Sequence, residues 1–170
     1  LTACSTAPVK QKFPEVPKAL VERCESLKKV EGALERLSLP KKCIALKQGS
    51  ASRQDWWDGQ FFDKILCDVP CSASGIVRRH PDIVFLRRKE DIAAFVKTQR
   101  AILENAWRML KPGGSLLYVT CSVFPEEGEE QIAWFLSQHP NALRLESPGQ
   151  LLSDQDHDGF FFGLLSKNKE

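Results

Sequence analysis

Two segments of the sequence constrain the fold most, because each is a short apolar run that ends in polar residues and a cysteine. The first covers residues 62–68 and is soon followed by Cys71, and the second covers residues 115–120 and is followed directly by Cys121. Such runs are typical of buried strands in an open α/β sheet, which binds ligands at the carboxyl ends of its strands. The pattern predicts that Asp68, Cys71 and Cys121 meet at one edge of a sheet.

The rest of the sequence alternates between helical and strand-like patterns. Apolar residues recur at helical spacing over residues 19–39, 90–110 and 125–138. Further strands are expected over residues 43–46, 142–145 and 159–165. Alternating elements predict a single α/β domain over residues 1–170, with a mostly parallel sheet and an antiparallel edge formed by the last strands. Residues 1–18, which contain three prolines, are predicted to be an irregular entry segment with room for one short strand.

The composition favours an ordinary globular domain of the cytoplasm. The chain has 170 residues, of which 42% are hydrophobic, and no apolar run approaches the ~18 residues that a membrane span needs. Three residues separate Cys67 from Cys71, where a zinc or redox pair has two, and the other cysteines form no disulfide framework. We therefore expect reduced thiols, a cytoplasmic location, no membrane contact and no bound metal.

Cationic residues cluster just after the first of the two cysteine segments, although the formal net charge of the whole chain is only +2. The cluster favours phosphate binding, for which arginine is well suited. A solvated face on which these cations pair with Asp82, Glu90 and Asp91 is the alternative, and the sequence leaves both open. The cluster consists of Arg78, Arg79, His80, Arg87, Arg88 and Lys89.

Cys121 and Asp68 are the candidate reactive groups. A cysteine among polar residues at the end of a strand has a lowered pKa and is nucleophilic, but it can also be a small apolar residue, as predicted for Cys67. A carboxylate that closes an apolar run must be paired, exposed or functional, and a turn aspartate is the alternative for Asp68.

Two other groups have structural interpretations. Trp56 and Trp57 are expected to pack in the core, with stacking on a nucleic-acid base as the alternative. The acidic triplet Asp154, Asp156 and Asp158 lacks the glycine and the distal glutamate of a calcium loop, which predicts a solvated loop.

Four motifs strongly resemble the Sun/Fmu (RsmB) family of ribosomal RNA cytosine-C5 methyltransferases. They are D-V-P-C-S-A-S-G (68–75), I-V-R-R-H-P-D-I (76–83), K-P-G-G-S-L-L-Y-V-T-C-S-V-F-P-E-E (111–127) and D-G-F-F-F (158–162). The likeness spans about residues 20–166 in the right order. It implies a Rossmann-like methyltransferase fold. Because the family's NusB-like RNA-binding N-terminal domain has no counterpart here, the chain is expected to be a fragment, the catalytic domain truncated at its N-terminus.

The resemblance also implies a reaction. In this family a thiolate adds to C6 of cytosine, C5 then takes a methyl group from S-adenosylmethionine, and loss of the C5 proton expels the thiol. The motif positions assign the nucleophile to Cys121, product release to Cys71, contact with the N3/N4 edge of the base to Asp68, and the shape of the loop to Pro70.

The substrate that the resemblance implies is RNA, specifically ribosomal RNA of the small subunit. The target base must leave its stack to reach such a site. The phosphates of this RNA are expected to run along Arg78, Arg79, His80, Arg87 and Arg88.

The cofactor loop departs from the family pattern. The family has C-A-A-P-G-G-K-T, whereas the nearest stretch here is C-S-T-A-P-V-K-Q (4–11), with Val9 where the family has a glycine. A Cβ hinders the close approach of backbone to ligand that glycine allows. Ser50 stands where an aspartate is expected near the adenine, and Glu22 is aligned with the acid that binds the ribose. The cofactor-binding positions implied by the resemblance are Pro8, Lys10, Glu22, Ser50, Asp68 and Pro70.

Three hypotheses follow from the sequence. The first is a methyltransferase that uses Cys121 and S-adenosylmethionine. The second, from the altered cofactor loop in residues 1–18, is a cofactor-deficient domain that binds RNA or a protein partner without catalysis. The third is a redox protein in which Cys71 and Cys121 pair.

Overall fold

The computed structural model of the protein describes residues 2–4, 18–21, 24–38 and 45–169, in which strands and helices alternate. The strands are β1 (Thr2–Cys4), β2 (Lys18–Val21), β3 (Ala45–Gln48), β4 (Phe62–Asp68), β5 (Leu110–Thr120), β6 (Ala142–Leu151) and β7 (Phe160–Lys167). The helices are α1 (Cys24–Arg36), α2 (Ile83–Leu86), α3 (Lys89–Met109) and α4 (Glu129–Gln138). Short 3-10 turns cover Ser74–Ile76 and Pro125–Glu127.

The described strands form one sheet in the order β3-β2-β1-β4-β5-β7-β6. Parallel pairing joins β2 to β3 and β4 to β5, whereas β1 and β7 run antiparallel to both of their neighbours. Five strands, β2 to β6, therefore run in one direction. The predicted α/β class, the mostly parallel strands and the antiparallel edge formed by β6 and β7 are confirmed.

The centre of the sheet is the parallel pair β4 and β5. Ile65 and Cys67 of β4 are buried and lie in register with Leu116 and Tyr118 of β5, which are buried as well. Parallel strands cannot be joined by a tight turn, and here α3 makes the crossover. Because β4 and β5 are adjacent and parallel, the residues that follow them emerge side by side at one edge of the sheet.

Helix α3 covers one face of this pair. It begins at Lys89, where the Arg88 backbone N–H donates to the Asp91 carboxylate at 2.9 Å, and it ends before Leu110, whose backbone is extended. Its apolar side packs on β4 and β5, and the Trp107 ring contacts Phe135 of α4 edge-on at 5.1 Å between centroids. No helix in the described ranges is both long and apolar enough to cross a membrane.

The structure corrects one predicted helix boundary. The helix predicted from residue 19 was wrong at its start, because Lys18–Val21 is strand β2 and α1 begins at Cys24. Strand β2 pairs with β1 on one side and β3 on the other, and these pairings override the local helical pattern.

Two predicted strands are longer than the sequence indicates. Strand β5 begins at Leu110, five residues before the predicted run at 115–120, and includes Gly113, whose φ is 78°. Strand β6 continues to Leu151. The predicted strand at residues 43–46 corresponds to β3, and residues 43 and 44 lie outside the described residues.

Asn105 ties α3 to the loop after β3. Its side chain is buried, and Nδ2 donates to the carbonyl oxygens of Ala51 and Arg53, both at 2.8 Å. We predict that Asn105→Ala lowers the free energy of unfolding by about 1–3 kcal/mol, because the buried carbonyl of Ala51 and the partly buried carbonyl of Arg53 lose this donor. Chemical denaturation measures this change. Thr98→Ala, on an exposed part of the same helix, is the control, and equal losses in both variants would contradict the prediction.

Candidate active site

The sulfur atoms of Cys71 and Cys121 lie together at the carboxyl edge of β4 and β5. Their Sγ atoms are 3.5 Å apart, a hydrogen-bond distance for sulfur, although 50 positions separate them in the sequence. Both residues are partly buried free cysteines. The structure thus brings together the two thiols that the sequence predicts at one sheet edge.

The environment distinguishes these thiols from each other and from Cys67. A hydrogen bond from Cys71 stabilises the thiolate of Cys121 and lowers its pKa to about 7, although burial and the charge of Asp68 act in the opposite direction. The same hydrogen bond, together with burial, raises the pKa of Cys71. Burial raises the pKa of Cys67 to about 12. Of these three thiols, Cys121 is the one with a substantial thiolate fraction near neutral pH.

Asp68 is the last residue of β4, and its side chain is exposed. It lies in register with Val119, two positions before Cys121, and its negative charge raises the pKa of that thiol. Within the described part of the chain, its carboxylate makes no hydrogen bond or ion pair. An unpartnered carboxylate beside a nucleophilic thiol can accept hydrogen bonds from a bound ligand.

Glu127 is a member of the site that sequence reasoning missed. Its side chain is completely buried, and Oε1 accepts hydrogen bonds from the Ser72 backbone N–H and from Gln99 Nε2, both at 2.9 Å. Its Oε2 accepts from Ser122 Oγ at 2.7 Å. The sequence indicates only that it belongs to the helical pattern over residues 125–138. Its position in the P-E-E end of the 111–127 motif was the available signal.

Three serine hydroxyls join the two cysteine loops to each other. Ser122 Oγ lies 3.2 Å from Ser72 Oγ and 3.0 Å from Ser74 Oγ. Ser74 Oγ also accepts a hydrogen bond from the Val123 backbone N–H at 3.0 Å. The loop after β4 and the loop after β5 are therefore one hydrogen-bonded unit.

Backbone contacts make this unit tighter. Gly75 donates its N–H to the Cys121 carbonyl at 2.8 Å, and its own carbonyl accepts from the Gly159 N–H at 2.8 Å. A Cβ on Gly75 would come within 2.1 Å of the Gly159 carbonyl oxygen, which leaves no room for a side chain. In the same loop Ala73 has a φ of 62°, in the left-handed region that alanine rarely adopts.

The structure gives Arg78 and Arg79 a partner that the sequence did not predict. Arg79 Nε lies 2.5 Å from Asp158 Oδ2, and Arg78 lies 3.5 Å from Asp158 Oδ1. Arg78 also donates to the Asp154 carbonyl at 2.6 Å. The prediction that Asp158 belongs to a solvated loop was wrong, because its side chain is buried under these guanidinium groups. Asp154 does fit that prediction, since its carboxylate is exposed and accepts two backbone N–H groups of its own loop.

The remaining cations lie beside the cysteine loops. Arg87 donates from Nε to the Ser72 carbonyl at 2.8 Å and stacks over the Phe95 ring. His80 and Arg88 are exposed. A groove of about 570 Å³ runs between the first turns of α3 and the segment after Cys121. Its lining combines cations, apolar groups and one acid, and consists of Arg87, Arg88, Lys89, Ile92, Ala93, Val96, Phe124 and Glu126.

The predicted cofactor positions are divided between described and undescribed residues. Pro8, Lys10 and Glu22 lie outside the described residues. Ser50 follows β3, with Oγ 2.9 Å from Ser52 Oγ and a carbonyl that accepts from Trp56 Nε1 at 2.8 Å. Trp56 and Trp57 pack against the core, in agreement with the packing interpretation.

Pro70, another predicted cofactor position, lies in the loop after β4. The Pro70 carbonyl accepts from Gln99 Nε2 at 3.0 Å, which fixes the loop between Asp68 and Cys71. Among the residues with described positions, no group of three histidine, cysteine or acidic side chains could hold a metal ion.

The lowered pKa of Cys121 can be tested by alkylation. Because the thiolate is the reactive form, we expect the rate of modification by iodoacetamide to reach half its maximum at a pH of about 7. In Cys71→Ala the hydrogen bond is lost, and we expect the midpoint to rise by about one pH unit or more. Cys71→Ser keeps a hydroxyl donor and should shift the midpoint less.

Mass spectrometry of the Cys121 peptide against pH measures the midpoint. Buried Cys67 serves as the internal control, which should remain unmodified. A midpoint that is the same in the wild-type protein and in Cys71→Ala would show that Cys71 does not set the pKa of Cys121.

Comparison with known proteins identifies related sequences. The sequence model of the family 16S rRNA methyltransferase RsmB/F matches residues 9–164. The chain is 44% identical over 170 residues to ribosomal RNA small subunit methyltransferase B of Vibrio cholerae, covering 95% of this chain and 38% of that protein. It is 44% identical over 152 residues to the protein of the same name from Shewanella oneidensis, covering 83% of this chain and 35% of that protein. The chain thus spans well under half the length of these relatives.

Solved structures agree with the sequence comparisons. NSun6 from Pyrococcus horikoshii, determined with SFG, superposes with a TM-score of 0.77 at 29% identity, covering 90% of this chain and 41% of that one. A methyltransferase homolog protein from Pyrococcus horikoshii gives a TM-score of 0.73 at 28% identity, covering 89% of this chain and 53% of that one. The fold is the Rossmann-like methyltransferase fold. The chain belongs to the 16S rRNA methyltransferase RsmB/F family, as its motifs predicted.

Proposed function

We propose that this chain carries the catalytic residues of an S-adenosylmethionine-dependent enzyme that methylates C5 of a cytosine in small-subunit ribosomal RNA. The observation that carries this proposal is the Cys121 thiol, which has a pKa of about 7 and lies 3.5 Å from a second thiol at the edge of the sheet. The names of the Vibrio and Shewanella relatives support ribosomal RNA of the small subunit as the substrate.

Cys121 acts as the nucleophile in this proposal. Because C5 of cytosine is weakly nucleophilic, the Cys121 thiolate first adds to C6, forming an S–C6 bond and raising the electron density at C5. Once C5 carries the methyl group, loss of the C5 proton returns an electron pair to the ring and breaks the S–C6 bond. A thiolate of low pKa is present at neutral pH for the addition and is also a good leaving group for the release.

Cys71 acts in the release. Its thiol donates a hydrogen bond that stabilises the Cys121 thiolate, the species that forms again when the S–C6 bond breaks. Burial and this hydrogen bond raise the pKa of Cys71, so it remains a protonated donor. The two thiols thus have different roles because their environments move their pKa values in opposite directions.

Asp68 binds the base. Its exposed, unpartnered carboxylate can accept a hydrogen bond from the N4 amino group of cytosine, and it can stabilise a proton at N3 as electron density moves into the ring. Its negative charge acts on Cys121, which supports the view that both groups face the same bound base.

The described residues at the edge of the sheet fit S-adenosylmethionine. Asp68 is the last residue of β4, Pro70 lies two residues beyond it and Ser50 follows β3, so an exposed carboxylate and a hydroxyl lie where such sheets bind ligands. When bound, the cofactor supplies a methyl group activated by a positively charged sulfur. The relative NSun6 was determined with SFG, an analogue of this cofactor, which supports the assignment. Pro8, Lys10 and Glu22 complete the proposed cofactor site.

The exposed cations would hold the RNA. We assign the phosphates to His80, Arg87 and Arg88, with Arg87 and Arg88 at the rim of the 570 Å³ groove beside the Cys121 loop. Arg78 and Arg79 can contribute as well, since each side chain keeps about half of its surface exposed despite the contact with Asp158.

One observation favours a second function. Val9 stands where the family has a glycine in the cofactor loop, and a Cβ there opposes the close approach of backbone to ligand. A cofactor-deficient domain that binds RNA without turnover is therefore the alternative. Calorimetric titration with S-adenosylmethionine separates the two, because the enzyme must bind this cofactor and the deficient domain gives no heat at millimolar concentrations.

Covalent trapping tests the enzymatic proposal directly. We predict that a small-subunit ribosomal RNA fragment containing 5-azacytidine forms an adduct with this chain that survives a denaturing gel, and that Cys121→Ala abolishes it. With unmodified RNA and S-adenosylmethionine, Cys71→Ala should accumulate the adduct, because the release of Cys121 is slowed.

Cys67→Ala is the matched control, since this third thiol is fully buried in the core, and it should form the adduct as the wild-type protein does. An adduct that persists in Cys121→Ala, or identical behaviour of the Cys71 and Cys121 variants, would refute the assigned roles.

A further inference from the structure

Glu127 is the buried acid of the site, although its side chain makes no hydrogen bond to either sulfur atom. A buried carboxylate is unfavourable unless its oxygens accept hydrogen bonds, and three donors satisfy this one. These donors come from three different parts of the fold: Ser72 follows β4, Ser122 follows β5, and Gln99 lies in α3. A single carboxylate therefore connects the two cysteine loops to the helix beneath them.

The connected residues are the immediate neighbours of the reactive thiols. Ser72 follows Cys71 and Ser122 follows Cys121, so each loop is fixed one residue away from its sulfur. Gln99 extends the connection, because its Nε2 donates both to Glu127 and to the Pro70 carbonyl, on the other side of Cys71.

The backbone of Glu127 is held too. The Tyr118 hydroxyl, from the fully buried part of β5, donates to the Glu127 carbonyl at 2.9 Å. The carboxylate is thus anchored to the core at its own backbone and cannot follow one cysteine loop away from the other.

We infer that Glu127 is a positioning residue that holds the Cys71 and Cys121 loops at the separation at which their thiols hydrogen-bond before any substrate binds. The consequence of this positioning for catalysis rests on the proposed function, but the separation of the two thiols can be measured without any substrate. A side chain too short to accept all three hydrogen bonds separates the thiols, whereas loss of the negative charge alone leaves them together.

Two substitutions separate the effect of the charge of Glu127 from the effect of its side-chain length. Glu127→Asp keeps the charge but is one methylene shorter, so it cannot reach all three donors. Glu127→Gln keeps the length, since its carbonyl oxygen can accept from Ser72 and Gln99 while its amide donates to Ser122 Oγ. Glu126→Gln, at the exposed acid next in the chain, is the matched control for any general effect of charge.

Equilibration with glutathione measures how closely the thiols are held. One glutathione disulfide accepts two electrons and two protons from Cys71 and Cys121, giving an intramolecular disulfide and two molecules of reduced glutathione. The equilibrium constant, read by mass spectrometry on the folded protein, is an effective concentration of one thiol at the other. We expect Glu127→Asp to lower it by about tenfold or more, as for a lost hydrogen bond to a charged acceptor, and Glu127→Gln and Glu126→Gln to stay within about twofold.

The alkylation midpoint of Cys121 provides a second measurement that a loss of stability alone would not produce. Around this thiol lie Cys71, whose hydrogen bond lowers its pKa, and Asp68 and Glu127, whose charges raise it. Glu127→Asp should raise the midpoint, because the hydrogen bond from Cys71 is weakened. Glu127→Gln should lower it, because a nearby negative charge is removed.

The outcomes are decisive. The inference would be overturned if folded Glu127→Asp had the wild-type equilibrium constant. It would also be overturned if the equilibrium constant of folded Glu127→Gln fell as far as that of Glu127→Asp. If circular dichroism shows that Glu127→Asp is unfolded, Ser122→Ala replaces it, since this variant removes the Oε2 contact together with the contacts of Ser122 Oγ to Ser72 and Ser74. A wild-type constant in Ser122→Ala would then overturn the inference. Normal thiol geometry without an RNA adduct would refute the proposed function and leave this inference standing.

Discussion

The parallel pairing of β4 with β5 is the interaction on which both the core and the site depend. It places Asp68 in register with Val119, so the two loops that follow the strands begin side by side. The chain between the strands returns through α3, whose apolar side packs on the same pair. The site is therefore assembled by the folding of the core, because its two thiols are 50 positions apart in the sequence.

Environment, and not residue type, distinguishes the three central cysteines. Cys67 is enclosed by apolar groups, which raise its pKa because a buried thiolate is poorly solvated. Cys121, only partly buried, receives a hydrogen bond that compensates for its burial, and its pKa falls. Cys71 donates that hydrogen bond and therefore keeps its proton. One contact thus sets the protonation of two groups in opposite directions.

The sequence was most informative where local pattern and tertiary environment agree. The bounds of β4 were predicted as observed, since its apolar run ends at Asp68, and Pro70 soon afterwards has no backbone N–H to donate to a neighbouring strand. The start of α1 was misplaced because residues 18–21 form a strand only through partners far along the chain. Local periodicity contains no information about those partners.

The site shows the same division. The convergence of Cys71 and Cys121 could be predicted, because the ends of adjacent parallel strands share one edge. The burial of Glu127 could not, since Glu126 beside it is chemically identical and exposed. The pairing of Arg79 with Asp158 was hidden for a related reason, because nearer acids in the sequence were equally plausible partners.

Ala73 shows what this tightly bonded loop requires of its backbone. A left-handed conformation costs a residue with a Cβ about 1–2 kcal/mol, and glycine would adopt it freely. Glycine would also increase the number of conformations open to the unfolded chain, which alanine restricts. Alanine is therefore less favourable than glycine in the folded loop, but it leaves the unfolded chain fewer conformations. The hydrogen bonds around Ala73 keep the turn in this less favourable geometry. The loop that carries Cys71 is therefore held under backbone strain by its hydrogen bonds.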